Sequence, residues 1–127
     1  MPITALYTAI LTIIAFILAQ HVIKTRGRTK IALGFGDDAR LLEATRRQMN
    51  FVENVPLTLI LLLLAEAGGA DPLYLHFAGA ALVAARVIHP FGITVTRAAH
   101  PLRIGGAVAT NAVQFGLIIL LVMQHFA

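Results

Sequence analysis

The sequence contains no cysteine and has few charged residues. The lack of cysteine excludes disulfide bonds, thiolate metal sites and a cysteine nucleophile, so any thiol chemistry must use the thiol of a substrate. Charged residues make up only 13% of the 127 positions, whereas hydrophobic residues make up 58%. With a mean hydropathy of +0.82, the chain is too apolar for a soluble domain of this length. The composition therefore predicts an integral membrane protein.

Four long apolar segments are separated by short polar connections, and each is long enough to cross a bilayer as a helix. We expect transmembrane helices over residues 3–23, 39–67, 72–89 and 101–126, all within one domain that covers residues 1–127. The first segment lacks the basic start of a signal peptide and its apolar run is too long for one, so we expect it to be retained. The predicted fold class is an all-α membrane protein with a four-helix bundle.

The basic residues indicate the orientation of this bundle. The first and third connections carry half of the ten lysine and arginine residues, namely Lys24, Arg26, Arg28, Lys30 and Arg97. The second connection, between the second and third helices, has no lysine or arginine. Under the positive-inside rule, both basic connections are cytoplasmic and both termini lie outside. Because the basic residues cluster at the ends of the apolar segments, the net charge of +4 does not indicate nucleic-acid binding.

A polar stretch lies in the first half of the second predicted helix. Asn50 and Glu53 follow Arg46 by four and seven residues, so the three share one helical face, with Glu43 on the same side. Inserting an ionisable residue into a bilayer costs about 2.5–3.5 kcal/mol of free energy, so the presence of these residues requires an explanation. One interpretation is an internal salt bridge of Arg46 with Glu43 or Glu53. The other is a ligand pocket, in which Arg46 binds a carboxylate, Glu53 an ammonium group, and Asn50 supplies a donor and an acceptor.

Further cationic side chains gather at the same end of the bundle from other segments. They are Arg26, Arg86, His89, Arg97 and Arg103. Arginines from three segments, together with Glu53, complement a small zwitterionic ligand with more than one carboxylate, such as glutathione. A nearby cation also lowers the pKa of a thiol, which is about 8.5 when free. The resulting thiolate can attack an electrophile that arrives through the lipid.

The pattern Arg-x-x-x-Asn-x-x-Glu-x-x-Pro, formed by Arg46, Asn50, Glu53 and Pro56, resembles the second-helix signature of the MAPEG family. These are the membrane-associated proteins in eicosanoid and glutathione metabolism. The resemblance covers essentially the whole chain and is greatest to the small bacterial members. It implies a homotrimer in the inner membrane, with glutathione bound between subunits on the cytosolic side. The implied activity is a glutathione transferase or peroxidase that detoxifies lipophilic electrophiles without a metal.

The resemblance also implies roles for residues of the first two helices. Arg46, Asn50 and Glu53 would bind glutathione from one subunit, whereas Arg26 and Gln48 would reach it from the neighbouring subunit. Gln48 points nearly opposite to Arg46 on the helix, which is consistent with this division because one helix would then line two different pockets.

The remaining site predictions fall on the third and fourth helices. Arg103 is the best match to the family's arginine that stabilises the thiolate, with Arg97 as the alternative. Arg86 and His89 are further predicted glutathione contacts at the cytoplasmic end of the third helix.

Four positions depart from the family pattern, one of them Gly27, which stands where a second basic residue would follow Arg26 directly. Asn54 stands where several members have a tyrosine, and His89 and Ile93 stand where the leukotriene synthases have ligand-binding tyrosines. These departures argue against a leukotriene synthase and favour an alternative, a non-enzymatic member that binds lipid or a partner protein. A small multidrug exporter is a third possibility. Such exporters usually need an acidic residue within a spanning helix for proton coupling, and the first span has none.

Overall fold

The computed structural model describes residues 2–126, which form four α-helices and no strand. Helix α1 spans Ile3–Thr29, α2 spans Ala39–Ala67, α3 spans Pro72–Ile88 and α4 spans Pro101–Phe126. A short 3₁₀ turn, His89–Gly92, continues α3. Each helix is long and apolar enough to cross a membrane, with the 3₁₀ turn included in the third span. The predicted fold class, an all-α membrane protein with four spanning helices, is confirmed.

Helix α1 is longer than the sequence predicted. It continues past Ile23 to Thr29, and Lys30 then ends it in a left-handed conformation with φ of 60°. The Arg26 guanidinium accounts for the extension, because it reaches past the helix end and donates to carbonyl oxygens of the loop that follows. The acceptors are Ile31 and Ala32, both at 3.3 Å, and Gly34 at 2.8 Å. A cation at a helix C-terminus stabilises the last turn.

Aspartate side chains begin the second and third helices. Asp38 Oδ1 accepts a hydrogen bond from the Leu41 amide at 3.0 Å, and Asp71 Oδ1 accepts one from the Leu73 amide at 2.7 Å. The hydrogen bond from the Arg40 side chain, then that from Leu41, holds the pKa of Asp38 below its ordinary value of 3.8. The carboxylate cap of α2 is therefore charged at neutral pH, and its contribution to stability is lost only as the pH falls through that lowered pKa.

The core of the bundle runs along its whole length. Each helix buries a leucine almost completely, namely Leu11, Leu62, Leu82 and Leu117. Helix α1 packs against α2 and α3, and α4 packs against α2 and α3. This arrangement brings the end of α1, the start of α2, the end of α3 and the start of α4 to one end of the bundle. We call it the basic end, because most of the arginine and lysine residues lie there.

The other end of the bundle, which we call the opposite end, contains polar side chains that are bonded within the chain. Glu66 of α2 accepts hydrogen bonds from the Ile3 amide and, at 2.9 Å, from the Thr4 amide, so it caps the start of α1. Gln124 of α4 donates to the Ala65 carbonyl oxygen at 3.1 Å. These bonds tie α2 to both α1 and α4.

Candidate functional site

A cavity of about 330 Å³ lies at the basic end, between α2, the start of α4 and the segment that joins α3 to α4. Four of the predicted site residues line it: Arg46 and Asn50 from α2, His89 from the 3₁₀ turn and Arg103 from α4. The structure thus brings together side chains from three segments of the chain, as expected for a site in which several groups contact one ligand.

Arg46 does not form the internal salt bridge that was one interpretation of the polar stretch. Its side chain is exposed, and among residues 2–126 it makes no ion pair with Glu43 or Glu53. Glu43 pairs instead with Arg47, whose Nη2 lies 3.3 Å from Glu43 Oε2. The Arg46 guanidinium is therefore available at the cavity for a ligand.

Glu43, which lines this cavity, and its partner Arg47 hold in place the wall formed by the segment after the 3₁₀ turn. Glu43 Oε1 accepts a hydrogen bond from the Val95 amide at 2.8 Å, and Arg47 Nη2 donates to the Ile93 carbonyl oxygen at 2.9 Å. Both bonds hold the segment after the 3₁₀ turn against α2. The sequence interpretation did not single out Arg47, although its spacing of four residues from Glu43 is typical of a helical ion pair.

Arg86 lies beneath the cavity and is 2% exposed. Its Nη1 donates to Asn50 Oδ1 at 3.0 Å, and its Nη2 donates to the Gly106 carbonyl oxygen at 3.0 Å and to Thr110 Oγ1. The predicted ligand contact is therefore occupied by protein partners on α2 and α4. In this position Arg86 joins three helices and fixes a residue that does line the cavity.

The bond from Arg86 determines which atom Asn50 offers to a ligand. A guanidinium only donates hydrogen bonds, so the Asn50 atom that faces it must be the oxygen. The Asn50 amide NH₂ makes no hydrogen bond with any residue in the described part of the chain. Of the donor and the acceptor expected of Asn50, the acceptor is used inside the protein and the donor remains for the cavity.

Two glycines allow the close packing that places His89 and Arg103 at the cavity. A Cβ atom at Gly92 would overlap the backbone nitrogen of Arg103 and lie 2.8 Å from its Cα. A Cβ atom at Gly106 would lie 2.7 Å from His89 Cβ. Arg97 is exposed and does not line the cavity, so its position favours Arg103 of the two predicted candidates for thiolate stabilisation.

Besides Arg86 and Arg97, three further predicted residues lie outside the cavity. Glu53 is exposed and makes no hydrogen bond with residues 2–126, and the Arg26 guanidinium is bonded to the loop after α1. Gln48 lines an apolar groove of about 300 Å³ between α1 and α2, together with Phe16 and Phe51. Gln48 and Arg46 thus line different cavities, and the contact of Gln48 with glutathione from a neighbouring subunit stays a prediction.

The comparison with known proteins decides the family. The sequence profile of the MAPEG family matches residues 4–123. The chain belongs to the MAPEG family. The inner membrane protein YecN of Escherichia coli strain K12 is 30% identical over 90 residues, which cover 71% of this chain and 69% of YecN. The inner membrane protein YecN of Escherichia coli strain O6:H1 matches to the same extent. No solved structure gives a significant match.

The cavity of this MAPEG protein is rich in unused hydrogen-bond donors. Arg46 and the Asn50 NH₂ group have no acceptor among the described residues, and Arg103 has one long bond to the Ala98 carbonyl oxygen at 3.4 Å. The acidic side chain at the cavity, Glu43, is already paired. Such a donor set suits a ligand with carboxylate groups or a thiolate. No group of three potential metal ligands occurs within residues 2–126.

Proposed function

We propose that this MAPEG protein is a glutathione-dependent enzyme of the inner membrane, of the transferase or peroxidase type, which acts on lipophilic electrophiles. One observation carries the proposal. Arg46, Asn50 and Arg103, from two helices, line a single cavity at the basic end and retain donors with no strong partner in the chain. The positive-inside rule places this end in the cytoplasm, where glutathione is available.

Glutathione matches the cavity in size and in charge. It carries two carboxylates, one ammonium group and one thiol. A volume of about 330 Å³ is at the lower end of the range of about 300–1,000 Å³ that is typical of small-molecule sites. Arg46 is placed to bind a carboxylate, with the Asn50 NH₂ group as a second donor.

The acceptor for the ammonium group lies on the surface beside the cavity. Glu53 follows Asn50 by three residues on α2 and is exposed outside the cavity, so in this proposal its carboxylate meets the part of glutathione that extends beyond the cavity. A homotrimer provides such an arrangement, because Gln48 and Arg26 of a neighbouring subunit then close the site from the other side. We therefore place glutathione between subunits, with Arg46, Asn50 and Glu53 from one of them.

Arg103 is the residue that activates the thiol in this proposal. Lowering a thiol pKa by about two units requires about 2.7 kcal/mol of preferential stabilisation of the thiolate. A guanidinium close to the sulfur supplies this by charge and hydrogen bonding. The thiol proton passes to water on the cytoplasmic side. In the transferase reaction the thiolate then forms a bond from sulfur to carbon as the leaving group departs.

The first test is the ultraviolet difference spectrum of glutathione added to the detergent-purified protein. We expect a thiolate band near neutral pH in the natural protein, its loss in Arg103→Ala, and its retention in Arg97→Ala. A band that survives in Arg103→Ala and disappears in Arg97→Ala would move the catalytic role to Arg97. The absence of both band and binding in the natural protein would overturn the proposal.

The second test concerns affinity. We expect Arg46→Ala to weaken glutathione binding about tenfold or more, because it removes a charge-assisted hydrogen bond to a carboxylate. Lys24→Ala is the matched control, because Lys24 is exposed at the same end and removing it changes the net charge equally. Isothermal titration measures both variants. An equal loss in the two would mean that the general positive charge binds glutathione, without a specific contact.

A second candidate function is a non-enzymatic member that binds lipid or a partner protein. The observation that favours it is the apolar side of the cavity, where Ile93, Leu42 and Val95 lie and where the leukotriene synthases place a tyrosine at the Ile93 position. Mass spectrometry of the purified protein separates the two functions. A specific lipid retained in the natural protein, with no thiolate band, would make this candidate the leading one.

A further inference from the structure

A second cavity, of about 190 Å³, lies between α1 and α2 at the basic end. Glu43 lines both this cavity and the larger one, so the pair of Glu43 and Arg47 stands between them. Glu43 is shared by the two cavities, and none of the residues that line the smaller one contacts glutathione in the proposed function.

The smaller cavity is lined mainly by basic side chains. On α1, His21, Thr25 and Arg28 follow one another at four and three residues and share a helical face. On α2, Arg40 and Arg47 lie seven residues apart, again on one face. The two faces meet at the cavity, so three arginines line one small space.

These arginines have donors that the protein does not use. Arg28 makes no hydrogen bond with residues 2–126, and the buried Nε of Arg47 has no partner there. Arg40 is mostly exposed and pairs with Asp38 at 3.1 Å. Thr25 donates its hydroxyl to the His21 carbonyl oxygen at 2.8 Å and so adds no free donor. The unused donors in the cavity are therefore those of basic side chains.

We propose that this cavity binds a phosphate group. Arginine presents several N–H donors in a planar fork that matches the oxygens of a phosphate. Arg47 is paired with Glu43 and Arg40 with Asp38, so Arg28, which has no ion pair among residues 2–126, leaves the cavity with a net positive charge. Its volume is below the usual range of small-molecule sites, about 300–1,000 Å³, and suits a single compact anion.

The level of the cavity relative to the membrane allows two sources for that phosphate. The apolar run of α1 ends at Ile23, between His21 and Thr25, so the cavity lies at the level where a bilayer meets water. Basic pockets between spanning helices at this level bind phospholipid headgroups. The same chemistry accepts free phosphate from the cytoplasm. The ligand is a phosphate group in both cases, and the test separates the two sources.

The test uses isothermal titration of the detergent-purified full chain with two probes, inorganic phosphate and short-chain phosphatidylglycerol below its micelle concentration. A short-chain diacylglycerol, which lacks the phosphate, is the probe control. The double variant Arg28→Ala with Arg40→Ala removes two exposed guanidinium groups of the cavity. The matched control, Lys24→Ala with Lys30→Asn, removes the same charge nearby, and asparagine tolerates the left-handed conformation of position 30.

We expect the natural protein and the lysine variant to bind a phosphate probe with similar affinity, and the arginine variant to bind it at least about tenfold more weakly. Binding of phosphatidylglycerol alone supports the proposal with a lipid as the source. Binding of both probes, or of inorganic phosphate alone, supports it with free phosphate. The proposal is overturned if neither probe binds, if diacylglycerol binds equally well, or if both double variants lose the same affinity.

Discussion

The two ends of the bundle use polar side chains in different ways. At the opposite end, Glu66 is bonded to the start of α1 and Gln124 to the Ala65 carbonyl oxygen, so both have partners within the chain. At the basic end, Arg46, Arg103 and the Asn50 NH₂ group line a cavity with little or no bonding. Polar groups at a membrane boundary that lack partners in the chain are suited to a ligand. The difference teaches that bonding within the chain, more than residue type, distinguishes the side chains that join helices from those that the proposed function assigns to a ligand.

Arg86 is the strongest test of this difference, because it lies near the basic end and yet both of its Nη atoms are bonded within the chain. Arg86→Ala leaves Asn50 Oδ1 without its partner and creates a cavity where the buried side chain lay between three helices. We expect the free energy of unfolding to fall by about 3 kcal/mol. Unfolding in sodium dodecyl sulfate, followed by circular dichroism, measures the change.

Arg46→Ala is the matched control for that experiment, since Arg46 is exposed and makes no ion pair with Glu43 or Glu53. We expect it to change the free energy of unfolding by less than about 0.5 kcal/mol. If the two arginine variants were equally stable, the separation of bonded and unbonded arginines would be wrong.

A second prediction tests the packing that places Arg103. In Gly92→Ala the new Cβ overlaps the backbone of Arg103, so the 3₁₀ turn and the start of α4 must separate. We expect the glutathione thiolate band to weaken about tenfold to a hundredfold, because small displacements of catalytic groups are costly. Gly105→Ala is the control, since a Cβ there meets open space. An unchanged band in Gly92→Ala would show that the turn does not position Arg103.

The third prediction concerns the two polar groups of the Asn50 side chain, the oxygen that is bonded to Arg86 and the NH₂ group that is not. Asn50→Asp keeps an oxygen for Arg86 but replaces the NH₂ donor by a second acceptor. We expect stability to be retained and glutathione affinity, measured by isothermal titration, to fall about tenfold. Asn50→Leu, which deletes both halves, should lower stability as well as affinity. Full glutathione affinity in Asn50→Asp would contradict the assignment of the NH₂ group to the ligand.

The sequence was sufficient to predict the four spanning helices, because apolar length and the breaks between segments determine them. The predicted range of α2, residues 39–67, is also the range in the structure. The predicted end of α1, at residue 23, was wrong because a single guanidinium, that of Arg26, reaches forward to carbonyl groups of the next loop. Periodicity describes side chains along a helix and contains no information on such contacts beyond its end.

The candidate site was predictable to a similar degree. Helical spacing placed Arg46 and Asn50 on one face, and both line the cavity. The same spacing included Glu53, which lies outside, because a shared face does not say which segment packs against it. The engagement of Arg86 depends on the Gly106 carbonyl oxygen of α4, a backbone atom that no sequence pattern indicates. The ligand roles of these residues remain predictions.

The bond between Glu66 and the start of α1 has a consequence for the order of biosynthesis. The amide groups of Ile3 and Thr4 emerge from the ribosome long before residue 66, and the first amides of a helix have no partner within it. Nothing in α1 itself supplies the acceptor. The cap of α1 is therefore completed only after the end of α2 has been made, and until then water must satisfy these two amides.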